Sequence, residues 1–579
     1  MNFRYLWFLL LALIATAVVE APSTTVCRAD DEPVYHHAVV AADHEAASRA
    51  GVEILKQGGN VVDAAVATGF ALSVVRPASS GIGGGGFMLI WNVEKQQGVA
   101  LDYRERAPAR ATRDMYVDPL DPEKVRPDAS EHGSLAVAVP GHVAGLCHAL
   151  REYGTRDLKT VLAPAIRLCR EGVPIDRQDI AVQKDVLRDF ADHPDYRDSF
   201  AALYRLYVNG GSAWKEGDRF YSPLAGVLEA IADRGADGFY QGEVAEAIVA
   251  EMQRGGGLIT RDDLAAMKPT VRKPLAGEFA ANAVLSMPPP SSGGVALVEI
   301  LNLLTAAGAR NPETRLDRLE PSSPLYLHLL AESFKHAFAD RARYLGDADF
   351  VKVPVARLTS REYAADLAAR IDLKRTHPAE TYGSRAAPDD GGTSHFSILD
   401  AKGNAVACTE TINTHFGSYV VEPKFGIVLN NEMDDFTSLP GVPNAFGLIQ
   451  SEANSIAPGK RPLSSMTPTI LVRDGRADFV VGASGGPRII TATAQVVLDL
   501  ARFGISPRKA VDAPRIHHQW MPDRLDIEKS QAPGAALTEM GHKVRVTDDH
   551  AVVQAASLTS DGRLRGASDA RKGGRAAGY

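Results

Sequence analysis

Apolar residues recur at helical spacing through roughly the first 380 positions of this chain. DHEAASRAGVEILKQGG predicts a helix from about Asp43 that Gly58 and Gly59 stop. NVVDAAVATGFALSVV follows, with Asn60 as N-cap and an almost wholly apolar body, the pattern of a buried helix. GHVAGLCHALREYG, SPLAGVLEAIADRGA and EVAEAIVAEMQRGGG read as further amphipathic helices, and TRDDLAAM as one opened by Thr260. SPLYLHLLAESFKHAFADRARYLG is the longest, from about Ser323 to Gly346. Two other pieces break the pattern. SSGIGGGGFMLIW is a glycine loop running into a strand, and MPPPSSGG, Met287 to Gly294, reads as a rigid-then-flexible connector.

The pattern changes between about Arg375 and Gly392. RTHPAETYGSRAAPDDGG has no period and predicts an exposed segment. Strand signals then dominate: HFSILD, NAVACTE, GIVLN, PTILVRDG and ADFVVGAS, followed by a helix over PRIITATAQVVLDLARFG and a C-terminal HKVRV, AVVQAASL and GRLRGASD. Strands that arrive late, in antiparallel hairpin spacing and with helices on both sides, predict an α+β fold. Its stacked antiparallel sheets are flanked by helices, with no βαβ alternation.

TSHFSILDAKGNAVACTETIN is a hairpin whose loop is Ala401-Lys402-Gly403, with Gly403 at the left-handed position. Counting outward, Ile398 faces Val406 and Phe396 faces Cys408, an apolar set on one face. On the other face Thr393 meets Thr411. Cross-strand threonine pairs are ordinary stabilising pairs. The two glycines upstream, Gly391 and Gly392, add a second meaning. A threonine hydroxyl is a weak nucleophile without a base, and a free α-amine on the same residue is such a base. That amine exists only if the Gly392–Thr393 bond is cut. Gly392 lets the backbone bend so that the Thr393 hydroxyl reaches its own preceding carbonyl.

Composition sets limits. The 579 residues are 45% hydrophobic and 23% charged, enough to bury a large core, and 63 Lys and Arg against 71 Asp and Glu give a net charge of -8. That balance argues against a nucleic-acid partner, since the one basic run is RKGGR, Arg571 to Arg575. At the N-terminus, Arg4 precedes the apolar YLWFLLLALIATAVV. The run is short for a membrane span and fits a signal peptide over 1–29, cut after Ala29, hence a periplasmic or secreted protein; an uncleaved anchor is the alternative. The cysteines are Cys27, Cys147, Cys169 and Cys408, so the mature chain forms at most one disulfide, and no metal-site spacing occurs.

Two glycine motifs have competing readings. Gly482-Ala483-Ser484-Gly485-Gly486 has the form and the strand-to-helix context of a nucleophile elbow, with Asp499, His517 and His518 downstream. Little chain remains after Ser484 for the other members of a triad. In the alternative, Gly485 and Gly486 present two N–H groups near a helix start and hold an oxyanion. GIGGGGF, Gly81 to Phe87, lacks a phosphate-loop ending and has its strand after the loop, so it reads as close backbone packing.

Together, DYRERAPARATRDMY, MPPPSSGG, GGTSHFSILD, GNAVACTETIN, LNNEMDDF, KRPLSSMTPT, GASGGPRIIT and ASDARKGGRAAGY resemble the gamma-glutamyltransferase family of N-terminal nucleophile hydrolases, in the family's order over nearly the whole mature chain. The resemblance implies a four-layer αββα sandwich and self-cleavage at Gly392–Thr393. It implies a large subunit 30–392 and a small subunit 393–579 that stay together, and no cofactor. By motif, Thr393 is the implied nucleophile, Thr411 its hydrogen-bonding neighbour, and Gly485-Gly486 the oxyanion hole. Arg104, Ser464 and Ser465 are the implied clamp on a substrate α-carboxylate; Asn413, Glu432 and Asp435 are the acceptors for its α-amine. The residue types suit those tasks, since guanidinium and hydroxyls donate while carboxylates and an amide oxygen accept. The implied substrates are glutathione and other γ-glutamyl compounds, with water or an amino acid or peptide amine as acceptor. A glutaryl or cephalosporin acylase, a Ser484 hydrolase and a non-enzymatic secreted binding protein are the other readings. Two departures stand out. Phe446, in a segment resembling the family's pocket lid, stands where a tyrosine is common, which puts a lid hydrogen bond to Asn413 in doubt, and Glu410 is an unusual charge in its strand.

Overall fold

Two seven-stranded antiparallel sheets lie face to face, and helices cover both outer faces. The fold is that of a computed structural model, which describes residues 32–382, 392–448, 450–529, 533–548 and 551–579. The expected signal segment through Ala29 and the glycine at 391 lie outside the described residues. One sheet runs, edge to edge, Val34–Tyr35, Leu564–Ser568, Val552–Leu558, Arg476–Ser484, Thr469–Arg473, Asn282–Ser286, Leu275–Phe279. The other runs Ala577–Gly578, Ala38–Ala42, Thr393–Asp400, Ala405–Thr411, Gly85–Asn92, Gln97–Asp102, Thr270–Arg272. The four-layer sandwich is therefore as the sequence predicts, but the strands do not arrive late. Each sheet takes members from both sides of residue 392, because a short strand gains its hydrogen bonds from partners far along the chain.

The hairpin has the predicted register: Thr393 opposite Thr411, Phe396 opposite Cys408, Ile398 opposite Val406, with Gly403 at φ +92°. Phe396, Ile398, Val406 and Cys408 pack on the side of the helix Val61–Val75, while Leu399, Ala405 and Ala407 face the second sheet. Strand alternation then aims Thr393, His395 and Ser397 at the second sheet. The His395 ring lies over Gly482, where a Cβ would come within 2.2 Å of it, and Ser397 Oγ donates to Gln554 O at 3.1 Å. Beyond Gly482 the same strand passes into Gly485-Gly486, near the start of Thr393–Asp400.

Asn60 and Thr260 cap their helices with full capping boxes, and Ser323 caps Pro324–Tyr344. The first helix starts later than Asp43: His44 is its N-cap and Glu45 its first residue. The Asp43 carboxylate is engaged elsewhere, by Gln554 Nε2 at 2.6 Å and Lys572 Nζ at 2.8 Å. The connector at 287–294 is also misread from sequence. Its glycines open the unpredicted helix Gly293–Arg310, and they serve contact, not flexibility: a Cβ at Gly293 would lie 2.1 Å from Thr467 Oγ1, and one at Gly294 2.2 Å from Met287 O. That helix is long and apolar enough to cross a membrane, yet it packs in the core against Pro324–Tyr344 and Arg488–Ala501. The loop at 81–87 is the close-packed one expected, with Gly84 pressed on Thr411 O. Cys147, Cys169 and Cys408 are free and buried.

Candidate active site

Thr393 and Thr411 converge on one carbonyl. Thr393 Oγ1 donates to Gly392 O at 2.8 Å, Thr411 Oγ1 donates to the same oxygen at 3.0 Å, and the two hydroxyl oxygens are 3.3 Å apart. Thr411 Oγ1 in turn accepts from Asn413 N–H at 2.8 Å. The strand pairing holds the two side chains opposite each other, and both are almost fully buried. A hydroxyl next to a polarised carbonyl is the geometry that an intramolecular attack requires.

A small pocket opens over this pair. Nine of the ten catalytic and substrate-binding residues singled out from the sequence line it: Thr393, Thr411, Gly486, Arg104, Asn413, Glu432, Asp435, Ser464 and Ser465, along with Phe446 and Leu448. Gly485 sits directly before Gly486, at φ +123°, and Gly486 at +51°. Backbone in that region favours glycine, and a Cβ on Gly485 would meet Ala551 at 2.9 Å.

The charged residues pair in a way the sequence did not indicate. Arg104, implied for the carboxylate end, forks onto both Glu432 and Asp435, implied for the amine end. All three are buried, and opposite charges in such a place are stable only when matched. Burial opposes the Arg104 charge, but Glu432 and Asp435 outweigh it and hold the guanidinium above its ordinary value. Burial pushes both carboxyls upward, against the pull of Arg104. Glu432 Oε2 has no hydrogen-bond partner among the described residues. Asn413 sits at φ +79° with its Nδ2 donating to Asn431 O at 3.1 Å, which leaves its amide oxygen as the free end. No hydrogen bond joins Phe446 to Asn413; the Phe446 carbonyl accepts from Gln519 Nε2 at 3.1 Å while its ring walls the pocket.

The serine pair depends on the segment 288–294. Ser464 N–H donates to Pro290 O at 2.9 Å, Ser292 N–H and Oγ both donate to Ser464 O, and Ser291 Oγ donates to Met466 O. Behind Ser465 stands a residue that sequence reasoning missed, Arg341. It is buried, donates to Ser292 Oγ at 3.0 Å and Ser465 Oγ at 3.4 Å, and among the described residues leaves NH1 without a partner. No sequence signal marks it, since the same helix also carries His328, Glu332, Lys335, His336, Asp340 and Arg343, and only burial makes a polar neighbour necessary. Lys572 is a second omission, with its Nζ 2.6 Å from Thr393 O.

Other candidates separate from this pocket. Among the described residues Ser484 has no histidine partner: His517 Nδ1 and Nε2 face Thr491 and Gln519, while His518 accepts from Trp520 N–H and faces Asp523. Both histidines that the elbow reading offers are thus engaged elsewhere. Glu410 is buried beneath the sheet, accepting from Tyr103 OH at 3.2 Å with His142 Nε2 3.2 Å away.

Comparison with known proteins finds relatives over most of the chain. The sequence profile of the Gamma-glutamyltranspeptidase family matches residues 47–579. The Glutathione hydrolase proenzyme of Escherichia coli K12 is 42% identical over 568 residues, covering 96% of this chain and 95% of that protein. The protein of the same description from Pseudomonas aeruginosa is 43% identical and covers 85% of each chain. Among solved structures, cephalosporin acylase from Bacillus halodurans superposes with a TM-score of 0.82 at 27% identity, covering 97% of this chain and 99% of that one. Helicobacter pylori gamma-glutamyltranspeptidase superposes with a TM-score of 0.53 at 40% identity, covering 58% and 92%.

Proposed function

The chain belongs to the gamma-glutamyltranspeptidase family, and on that premise we propose that Thr393 carries out its glutathione hydrolase and γ-glutamyl transfer chemistry. The protein is an enzyme made as a precursor and cleaved into subunits. In our reading the cut falls at Gly392–Thr393. The Thr393 hydroxyl attacks the Gly392 carbonyl carbon, Thr411 stabilises the oxygen, the peptide nitrogen leaves as the new α-amine, and water hydrolyses the resulting ester.

The same hydroxyl then attacks the γ-amide of a γ-glutamyl compound. Its proton passes to the α-amine of Thr393 and on to the leaving amine. The N–H groups of Gly485 and Gly486 receive the oxyanion. Water, or the amine of an amino acid or peptide, resolves the acyl-enzyme.

The observation that carries the substrate reading is the Arg104 fork onto Glu432 and Asp435. A γ-glutamyl group brings one carboxylate and one ammonium, so it can take up both ends of that ion pair without changing the pocket's net charge. A glutaryl amide brings only the carboxylate and leaves the acids unmatched. The acylase fold likeness supports the shared architecture, and the buried acids favour a γ-glutamyl substrate.

Mass spectrometry of purified wild-type and Thr393→Ala protein tests the reading, together with turnover of γ-glutamyl and glutaryl p-nitroanilides. Two fragments meeting at Gly392/Thr393, absent in the variant, and preference for the γ-glutamyl amide are expected. An active, uncut Thr393→Ala protein overturns it.

A further inference from the structure

Lys572 is a buried cation beside the nucleophile that neither the proposed cleavage nor the proposed transfer uses. Its Nζ donates to Thr393 O at 2.6 Å and to Asp43 Oδ2 at 2.8 Å. The strand ladder explains why that carbonyl needs a donor. Ala38–Ala42 pairs with Thr393–Asp400 only as far as Ala42 opposite Phe396, so Thr393 lies past its neighbour's end. Lys572 takes over where the ladder stops, and Asp43, just past that neighbouring strand, anchors the lysine.

Cleavage raises the demands on this contact. Once Gly392 is released, Thr393 is a chain end with no covalent anchor upstream, and its backbone orientation sets where hydroxyl and amine point. We propose that Lys572 is a positioning residue for the nucleophile: it clamps the Thr393 carbonyl and sets a positive charge beside the new amine, which favours the neutral, proton-accepting form. The inference rests on Thr393 being the nucleophile.

The surrounding charges fix the sign. Asp43 is the ion partner, and Gln554 holds its second oxygen. Arg76 donates to Lys572 O at 3.0 Å and is itself matched by Asp176 and Asp179. On the same turn as Lys572, Asp569 and Arg571 pair with each other and with Arg515 and Glu528. On the pocket side Arg104 is matched by Glu432 and Asp435, and burial holds His395 neutral, with its pKa down at about 3. Removing the Lys572 charge leaves Asp43 unmatched. Both the lost cation and the unmatched anion raise the proton affinity of the amine.

The test is Lys572→Met beside wild type, with active-site titration of cut protein, kcat and KM for γ-glutamyl-p-nitroanilide, and the pH profile of kcat/KM. Expected are a kcat lower by about tenfold at little changed KM, and an acid limb displaced upward by about one pH unit. Lys572→Gln keeps an N–H donor without the charge and is expected to retain more of kcat while showing the same displaced limb; it also carries the pH test if Lys572→Met does not fold. Wild-type kcat and acid limb in either folded variant, or a loss confined to thermal stability or to KM, overturns the proposal. Wild-type protein that itself shows no Thr393 N-terminus sinks the nucleophile reading instead, so the two failures are distinct.

Discussion

Thr411 and Thr393 hold the same oxygen. Both hydroxyls donate to Gly392 O, at 3.0 and 2.8 Å, from positions directly opposite each other across a hairpin. In the proposed self-cleavage one of the two attacks the carbonyl and the other polarises it.

Thr411→Ala is therefore expected to slow self-cleavage by about 100-fold, the scale for losing one oxyanion donor. Thr411→Ser keeps the hydroxyl and is expected to stay within about tenfold of wild type. A time course of the two fragments by intact-mass spectrometry after expression checks this. Equal rates in all three proteins would remove Thr411 from the step.

The fork of Arg104 onto two acids predicts a substrate-dependent effect. Asp435→Asn removes one anion from the pair and an acceptor for an ammonium. We expect KM for γ-glutamyl-p-nitroanilide to rise by about tenfold or more, since one tenfold step is about 1.4 kcal/mol of lost binding. KM for glutaryl-p-nitroanilide should rise less or fall. A parallel rise for both would mean that the variant had disturbed the pocket as a whole.

Burial first, opposed by Arg104, raises the carboxyl pKa values of Glu432 and Asp435. An acid with a raised pKa loses its charge on acidification sooner than an ordinary one. KM for γ-glutamyl amides should therefore climb as pH falls, beginning above the ordinary carboxylate range, while KM for glutaryl amides stays flatter. Steady-state kinetics with both substrates across the pH range decides; identical KM profiles would place the titration elsewhere.

Gly482→Ala places a methyl 2.2 Å from the His395 ring. Both neighbours are in buried strands with no room to separate, so a loss of about 1–3 kcal/mol of stability is expected. Thermal unfolding checks it, and an unchanged midpoint would show that the sheets can part at this point.

Much of the site is legible in the sequence because hairpins are local. The loop Ala401-Lys402-Gly403 and the alternation of Phe396, Ile398, Val406 and Cys408 fix a register, and the register alone sets Thr393 opposite Thr411. The four-layer architecture is implied by the motifs, although each sheet draws strands from both sides of residue 392. Misreadings occur where a residue's role is set from afar. Asp43 looks like the start of a helix but is engaged by Lys572, more than 500 residues away. The glycines at 293 and 294 look flexible but open a helix, and they are glycine because Thr467 and Met287 leave no room for a Cβ.

What the sequence determined by itself is short-range: the helix caps at Asn60 and Thr260, the apolar faces, the hairpin register and the glycine lip before Thr393. Each depends on neighbours within a few positions, where period and turn chemistry suffice. Only the tertiary structure decided that Arg104 pairs with Glu432 and Asp435, that Arg341 backs Ser465, and that Lys572 holds the Thr393 carbonyl. Buried charge is matched by whatever the fold brings within reach, and sequence spacing carries no record of that distance.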